Sequence, residues 1–228
     1  MKRHLPAGLI TALLIMLNFN TAGRLRDSIP DNVMGQKQLL SVDPGQWKLV
    51  SLGHEDLLSD LLTARALTHF GAALNAGRDP EKDYLKQIFL AACELAPHNL
   101  ELLFLAANVL ARLDVAAANL LLESSMLYNP QSWKIPEMIG FNYSFYLDQP
   151  ARAARYYEIA ARLPGRPPYV PSLAGKFYTE TGRYRQALRV LQRFQQESRD
   201  PKLKQSFQQT IDDIHRRLEI TGASTSLD

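Results

Sequence analysis

From His54 onward apolar positions recur at spacings of three and four residues, and nowhere do they alternate strictly with polar ones. That spacing gathers apolar side chains on one face of a helix, whereas a half-buried strand needs a period of two. The chain beyond His54 is therefore read as all-α. Breakers divide it into segments of about a dozen residues. They are GRDP at Gly77–Pro80, PHN at Pro97–Asn99, NPQS at Asn129–Ser132 and LDQP at Leu147–Pro150, then PGRPP at Pro164–Pro168, TGR at Thr181–Arg183 and RDP at Arg199–Pro201. Glycine frees the backbone for a left-handed turn and proline cannot continue a helix, so these are predicted connections. Pro97 and Pro130 stand 33 residues apart, and Pro130 and Pro164 stand 34 apart. A break at that interval predicts a repeated pair of helices.

One residue pattern returns between the breaks. Ile139-Gly140-Phe141-Asn142-Tyr143 is followed by Ala153, Tyr157, Ala160 and Pro164, and Gly175-Lys176-Phe177-Tyr178 by Gly182, Tyr184, Ala187, Leu191 and Phe194. This resembles the tetratricopeptide repeat, whose first helix carries an apolar-Gly-x-x-Tyr element and whose second carries small, bulky and small residues. Phe194 departs from it, since a small residue is expected there. Two upstream units keep the pattern in weaker form, through Phe89, Ala92, Leu95 and Pro97, and through Ala106 and Val109 in the glycine and tyrosine roles. The resemblance spans about residues 63–200, and residues 201–218 read as a terminal solvating helix with a polar outer face.

The fold implied is a right-handed superhelix of antiparallel helix pairs, a TPR-like α-solenoid. The physics agrees, because small residues let two helices approach and a bulky residue fills the gap opposite each one. Such a pair cannot bury its apolar stripe alone, so neighbouring units must stack. Leu102, Leu105, Leu121, Leu122, Ile139, Tyr143, Tyr157 and Tyr178 are the expected inter-repeat core.

The resemblance also implies a function. Tetratricopeptide arrays are protein-interaction scaffolds whose first helices line a groove. The positions expected to face it here are Glu137, Phe141, Ser144 and Phe145 in one unit, and Ser172, Lys176, Thr179 and Glu180 in the next. The expected partner is a protein segment of an envelope complex. A competing reading of Phe141 and Phe145 has residues 24–53 or a first-unit helix covering them. A second functional reading is a structural subunit of an envelope assembly, of the polysaccharide-export or pilus type, packing sideways through its repeats.

The first residues supply the location. Lys2 and Arg3 precede a mostly apolar run from Ala7 to Phe19, the layout of a bacterial export signal or anchor. Residues 1–23 are expected to be that signal, 24–53 an irregular lead-in, 54–218 the repeat domain and 219–228 a disordered tail. Small residues suited to cleavage are poorly placed near Ala22 and Gly23, and both an uncleaved anchor and a cleaved signal peptide stand. The basic start keeps the N-terminus in the cytoplasm. The expectation is a single-pass inner-membrane protein with its repeats in the periplasm, or an exported one.

Composition changes this picture little. Apolar residues make up 46% and charged residues 21%, an ordinary globular balance. The net charge of +3 is uneven, since residues 151–228 carry 14 Lys/Arg against 8 Asp/Glu. A basic C-terminal half suits an acidic partner or polymer, or simply solvated helix faces. Cys93 is the one cysteine, set in an Ala/Leu-rich run, and is expected to be buried and inert. HEDLL at His54 lacks the second histidine of a metalloprotease helix, because residue 58 is leucine. No nucleophile–base pair, phosphate loop or dinucleotide fingerprint occurs, so no enzymatic activity, metal, cofactor or small-molecule substrate is expected. The stripe Arg185, Arg189, Arg193 has no interleaved aromatics, and nucleic acid is not an expected partner.

Overall fold

In the computed structural model Lys48 and residues 51–220 are described. The expected signal segment, most of the lead-in and the tail beyond Ile220 lie outside the described residues. Among those described there are nine helices and no strand. They are α1 (Glu55–Asn75), α2 (Lys82–Leu95), α3 (Leu100–Leu113), α4 (Val115–Ser125), α5 (Lys134–Phe145), α6 (Pro150–Ala161), α7 (Tyr169–Glu180), α8 (Tyr184–Glu197) and α9 (Pro201–Ile220). Every predicted break falls at a helix boundary. Pro150 and Pro201 open helices, where a missing N–H costs nothing. No described helix is long and apolar enough to cross a membrane.

Each helix packs on the next in sequence, from α1 on α2 through to α8 on α9. This consecutive packing is consistent with an α-solenoid. Buried positions repeat along the second helices: Leu85, Phe89 and Ala92 in α2 correspond to Ala118, Leu122 and Ser125 in α4. Ala153, Tyr157 and Ala160 in α6, then Ala187, Leu191 and Phe194 in α8, continue the same rows. Opposite the bulky member stands a glycine. A Cβ on Gly175 would lie 2.8 Å from Leu191, and one on Gly140 would lie 3.1 Å from the Tyr157 ring. Glycine therefore sets how closely the two helices of a pair approach.

Two sequence expectations shift. At an offset of 33 residues the buried set Leu102, Leu103, Ala106, Ala107, Val109 and Leu110 matches Ile135, Pro136, Ile139, Gly140, Asn142 and Tyr143. Ala107 and Leu110, not Ala106 and Val109, thus take the glycine and tyrosine roles. The α3–α4 connection is Asp114 alone, whereas α5 and α6 are joined by Tyr146–Gln149. First helices are consequently closer in sequence than second helices, and a uniform spacing misplaces one of them. By the same register Leu105 matches Met138 on the outward face, and it is 38% exposed instead of core. The other expected core residues are buried.

Polar groups tie the units together. Asp114 ends α3 and caps α4, its carboxylate accepting from the Ala117 N–H at 3.0 Å. Asn99 caps α3 in the same way through the Leu102 N–H. Asn129 donates to the Pro97 carbonyl at 2.8 Å, joining one inter-helix turn to the turn of the preceding unit. The last described helix, α9, buries Phe207, Ile211 and Ile214 and leaves its polar face to solvent.

Candidate functional site

Single interactions link α5 to α3 and to α7. Lys134 of α5 places its ammonium 4.7 Å over the ring of Phe104 in α3, a cation–π contact between successive first helices. On the other side, the Glu137 carboxylate acts electrostatically on Tyr169 at the start of α7.

Three aromatic residues on and just after α5 are exposed. Phe141 and Phe145, one turn apart, stack at 5.1 Å with their planes 12° from parallel. Tyr146 meets both edge-on, with centroids 6.1 Å and 5.0 Å away. All three are exposed, by 43%, 68% and 42%, so the cluster is turned to solvent and not into the core. Aromatic rings in contact rarely stay exposed without use, since burying each is worth about 1.5–3 kcal/mol.

The other predicted groove residues separate by role. Glu137 is half-buried, and burial raises its carboxyl above the usual range while Lys134 pulls it back. Ser144 donates to the Phe141 carbonyl at 3.0 Å, and Thr179 to the Gly175 carbonyl at 2.8 Å. Each hydroxyl thus donates within its own helix, and Ser144 also interacts with the Tyr157 hydroxyl of α6. Ser172 is exposed. Lys176 and Glu180 form an exposed pair at 3.8 Å, an interaction worth about 0–1 kcal/mol. Glu137, Phe141 and Phe145 therefore lie together on α5, with Ser172, Lys176 and Glu180 on the adjacent α7.

Tyr146 escaped the sequence reading. It is the residue after the last turn of α5, where helical periodicity no longer assigns a direction. Asp148, with a left-handed φ of 48°, follows it and turns the chain toward α6. Asn142 was missed too: it sits in the Gly-x-x-Tyr element as an apparent spacer, yet it is 3% exposed.

Elsewhere the chemistry is quiet. Burial pushes the Cys93 thiol up to about 12, which keeps it protonated and unreactive at neutral pH. It lines a cleft of about 270 Å³ with Leu90, Leu121 and Tyr128. Among the described residues no three His, Cys, Asp or Glu side chains gather in a metal-binding arrangement. Two tyrosines pair with carboxylates, half-buried Tyr156 with Glu123 and buried Tyr178 with Glu158, both at 2.5 Å. The first bond joins α6 to α4 and the second joins α7 to α6. The chain matches no protein-family model, no curated protein and no solved structure in the comparisons made.

Proposed function

We propose that this chain is a non-enzymatic interaction scaffold of the tetratricopeptide type, a right-handed superhelix whose first helices take up a segment of a partner protein. The observation that carries the reading is the exposed, mutually stacked cluster of Phe141, Phe145 and Tyr146 on α5. Aromatic residues grouped on an outward face are the usual anchors of protein recognition. Lys176 and Glu180 on α7, an exposed ion pair, would supply charges that fix the register of a bound segment more than its affinity. The apolar run at the N-terminus supports a tethered or exported location, with the array outside the cytoplasm and an envelope complex as its partner.

The test is capture. Crosslinking in the intact envelope, followed by mass spectrometry, identifies what Phe141 touches. Phe141→Glu abolishes that crosslink while leaving the helical signal and melting temperature unchanged. A fall in melting temperature of many degrees, with the partner still captured, overturns the reading.

A second reading, a structural subunit that packs against neighbours, rests on α1. Leu57 and Leu61, one turn apart on that helix, are 60% and 59% exposed, and an exposed apolar strip on a helix favours lateral packing against a neighbour. Sedimentation of the purified chain separates the two, since Leu57→Glu with Leu61→Glu dissolves a lateral assembly and leaves groove binding intact.

A further inference from the structure

Phe194 stands where the preceding unit has Ala160, and its bulk holds α8, α9 and the Arg166–Pro168 loop around a cleft of about 140 Å³. The floor is apolar, built from Pro168, Pro171, Phe194, Leu203 and Phe207. Arg166 forms part of its wall, with its guanidinium 4.5 Å over the Phe194 ring. Two prolines follow Arg166 and Gly165 precedes it at a φ of 72°, so the backbone that carries the guanidinium is restrained.

The charges there do not balance. Glu197 shares its carboxylate between two arginines: Oε1 accepts from Arg193 Nε at 2.8 Å, and Oε2 from Arg166 at a long 3.3 Å. Two guanidinium groups thus face one carboxylate. The Nε–H of Arg166 is buried and has no hydrogen-bond partner. A buried donor left unpaired costs about 1–3 kcal/mol, so the guanidinium is under-satisfied, and its accessible part, on a side chain 24% exposed, is what an acceptor in the cleft meets. The apolar floor selects against a small hydrated anion and for an acceptor attached to a hydrocarbon group.

We propose that this cleft binds a carboxylate carried on a small branched apolar group, the carboxylate pairing with Arg166 and the hydrocarbon lying on Phe194 and Phe207. A peptide ending in leucine and a free branched-chain acid share this chemistry, and a volume of about 140 Å³ limits the hydrocarbon to one side chain. The site lies on α8, α9 and the Arg166–Pro168 loop, apart from the aromatic cluster of α5, and does not depend on the scaffold reading.

Calorimetry on the purified full-length chain tests the proposal with three probes: N-acetyl-leucine, 4-methylpentanoate and the uncharged N-acetyl-leucinamide. Binding of either acid, with none of the amide, is the expected result. Tighter binding of N-acetyl-leucine assigns the site to a peptide C-terminus, and tighter binding of 4-methylpentanoate assigns it to a free acid. Arg166→Lys keeps the charge but removes the planar fork of donors, and weakens the acids about ten-fold, the scale of one charge-assisted hydrogen bond. Glu197→Gln removes the competing carboxylate and strengthens them several-fold, an effect that a purely structural Arg166 does not produce. Equal binding of the amide, weaker binding in Glu197→Gln, or no binding by any probe overturns the proposal, the last because solvent alone then fills the cleft.

Discussion

Asn142 of α5 donates its amide to the Asn119 carbonyl oxygen of α4 at 2.8 Å, and both residues are buried. The bond crosses from one helix pair to the next, and it is satisfied only when the two units stack in the correct register. A buried amide pair contributes little net stability, but removing one member strands the other.

Asn142→Ala is therefore expected to destabilise the protein by about 1–3 kcal/mol. Asn119→Leu combined with Asn142→Leu should recover most of that loss, since neither site then holds an unpaired polar group. Urea denaturation of the single and double variants measures the coupling directly.

The glycines predict opposite signs at different places. Gly175→Ala drives a methyl to 2.8 Å from the Leu191 side chain, an overpacking cost of about 1–3 kcal/mol that outweighs the helix-propensity gain of about 1 kcal/mol. Gly71, inside α1, has open space around its Cα. Gly71→Ala should raise stability by about 0.5–1 kcal/mol. Thermal melts of the two variants, run side by side, read the difference.

High pH should unfold the array. Burial raises the Tyr178 and Tyr157 hydroxyls to about 12, and the Glu158 carboxylate adds to the effect on Tyr178. Tyr156 is raised as well, by burial and by Glu123. An unfolded tyrosine loses its proton near pH 10. Between about pH 10 and 12 the folded state thus holds more protons than the unfolded state, and stability falls as pH rises. The contribution is complete below pH 10. Tyr178→Phe costs about 0.5–1.5 kcal/mol at neutral pH and flattens this alkaline slope, which circular dichroism melts from pH 8 to 12 follow.

The exposed aromatics should behave unlike the buried ones. Phe145→Ser removes a ring that is 68% exposed and changes stability by about 0.5 kcal/mol or less. Tyr157→Ala removes a ring that is 3% exposed and stacked on Phe177 at 5.5 Å, and costs about 3–5 kcal/mol. Chemical denaturation separates these outcomes cleanly.

Much of this was legible in the residues themselves. The three-to-four spacing and the Gly/Pro breaks specified helices and their ends, because those preferences act over a single turn of backbone. Ala153, Tyr157 and Ala160 announced a close helix pair for the same reason, since the small and bulky residues are a local pattern. Phe141 and Phe145, four apart, share one helical face by geometry, and the tetratricopeptide resemblance implied that this face points outward.

What the sequence left open depends on partners distant along the chain. Whether Leu105 is core or surface turns on a one-residue difference in register between α3 and α5, set by the lengths of the segments between them, Asp114 and residues 126–133 among these. Asn142 reads as a spacer until Asn119, 23 residues earlier, is brought against it. Arg166 reads as a loop cation until Phe194 and Glu197 close around it. Periodicity fixes which face of a helix is apolar, but burial of a polar group is decided by what the neighbouring helix offers in return. Only the packed stack holds that information.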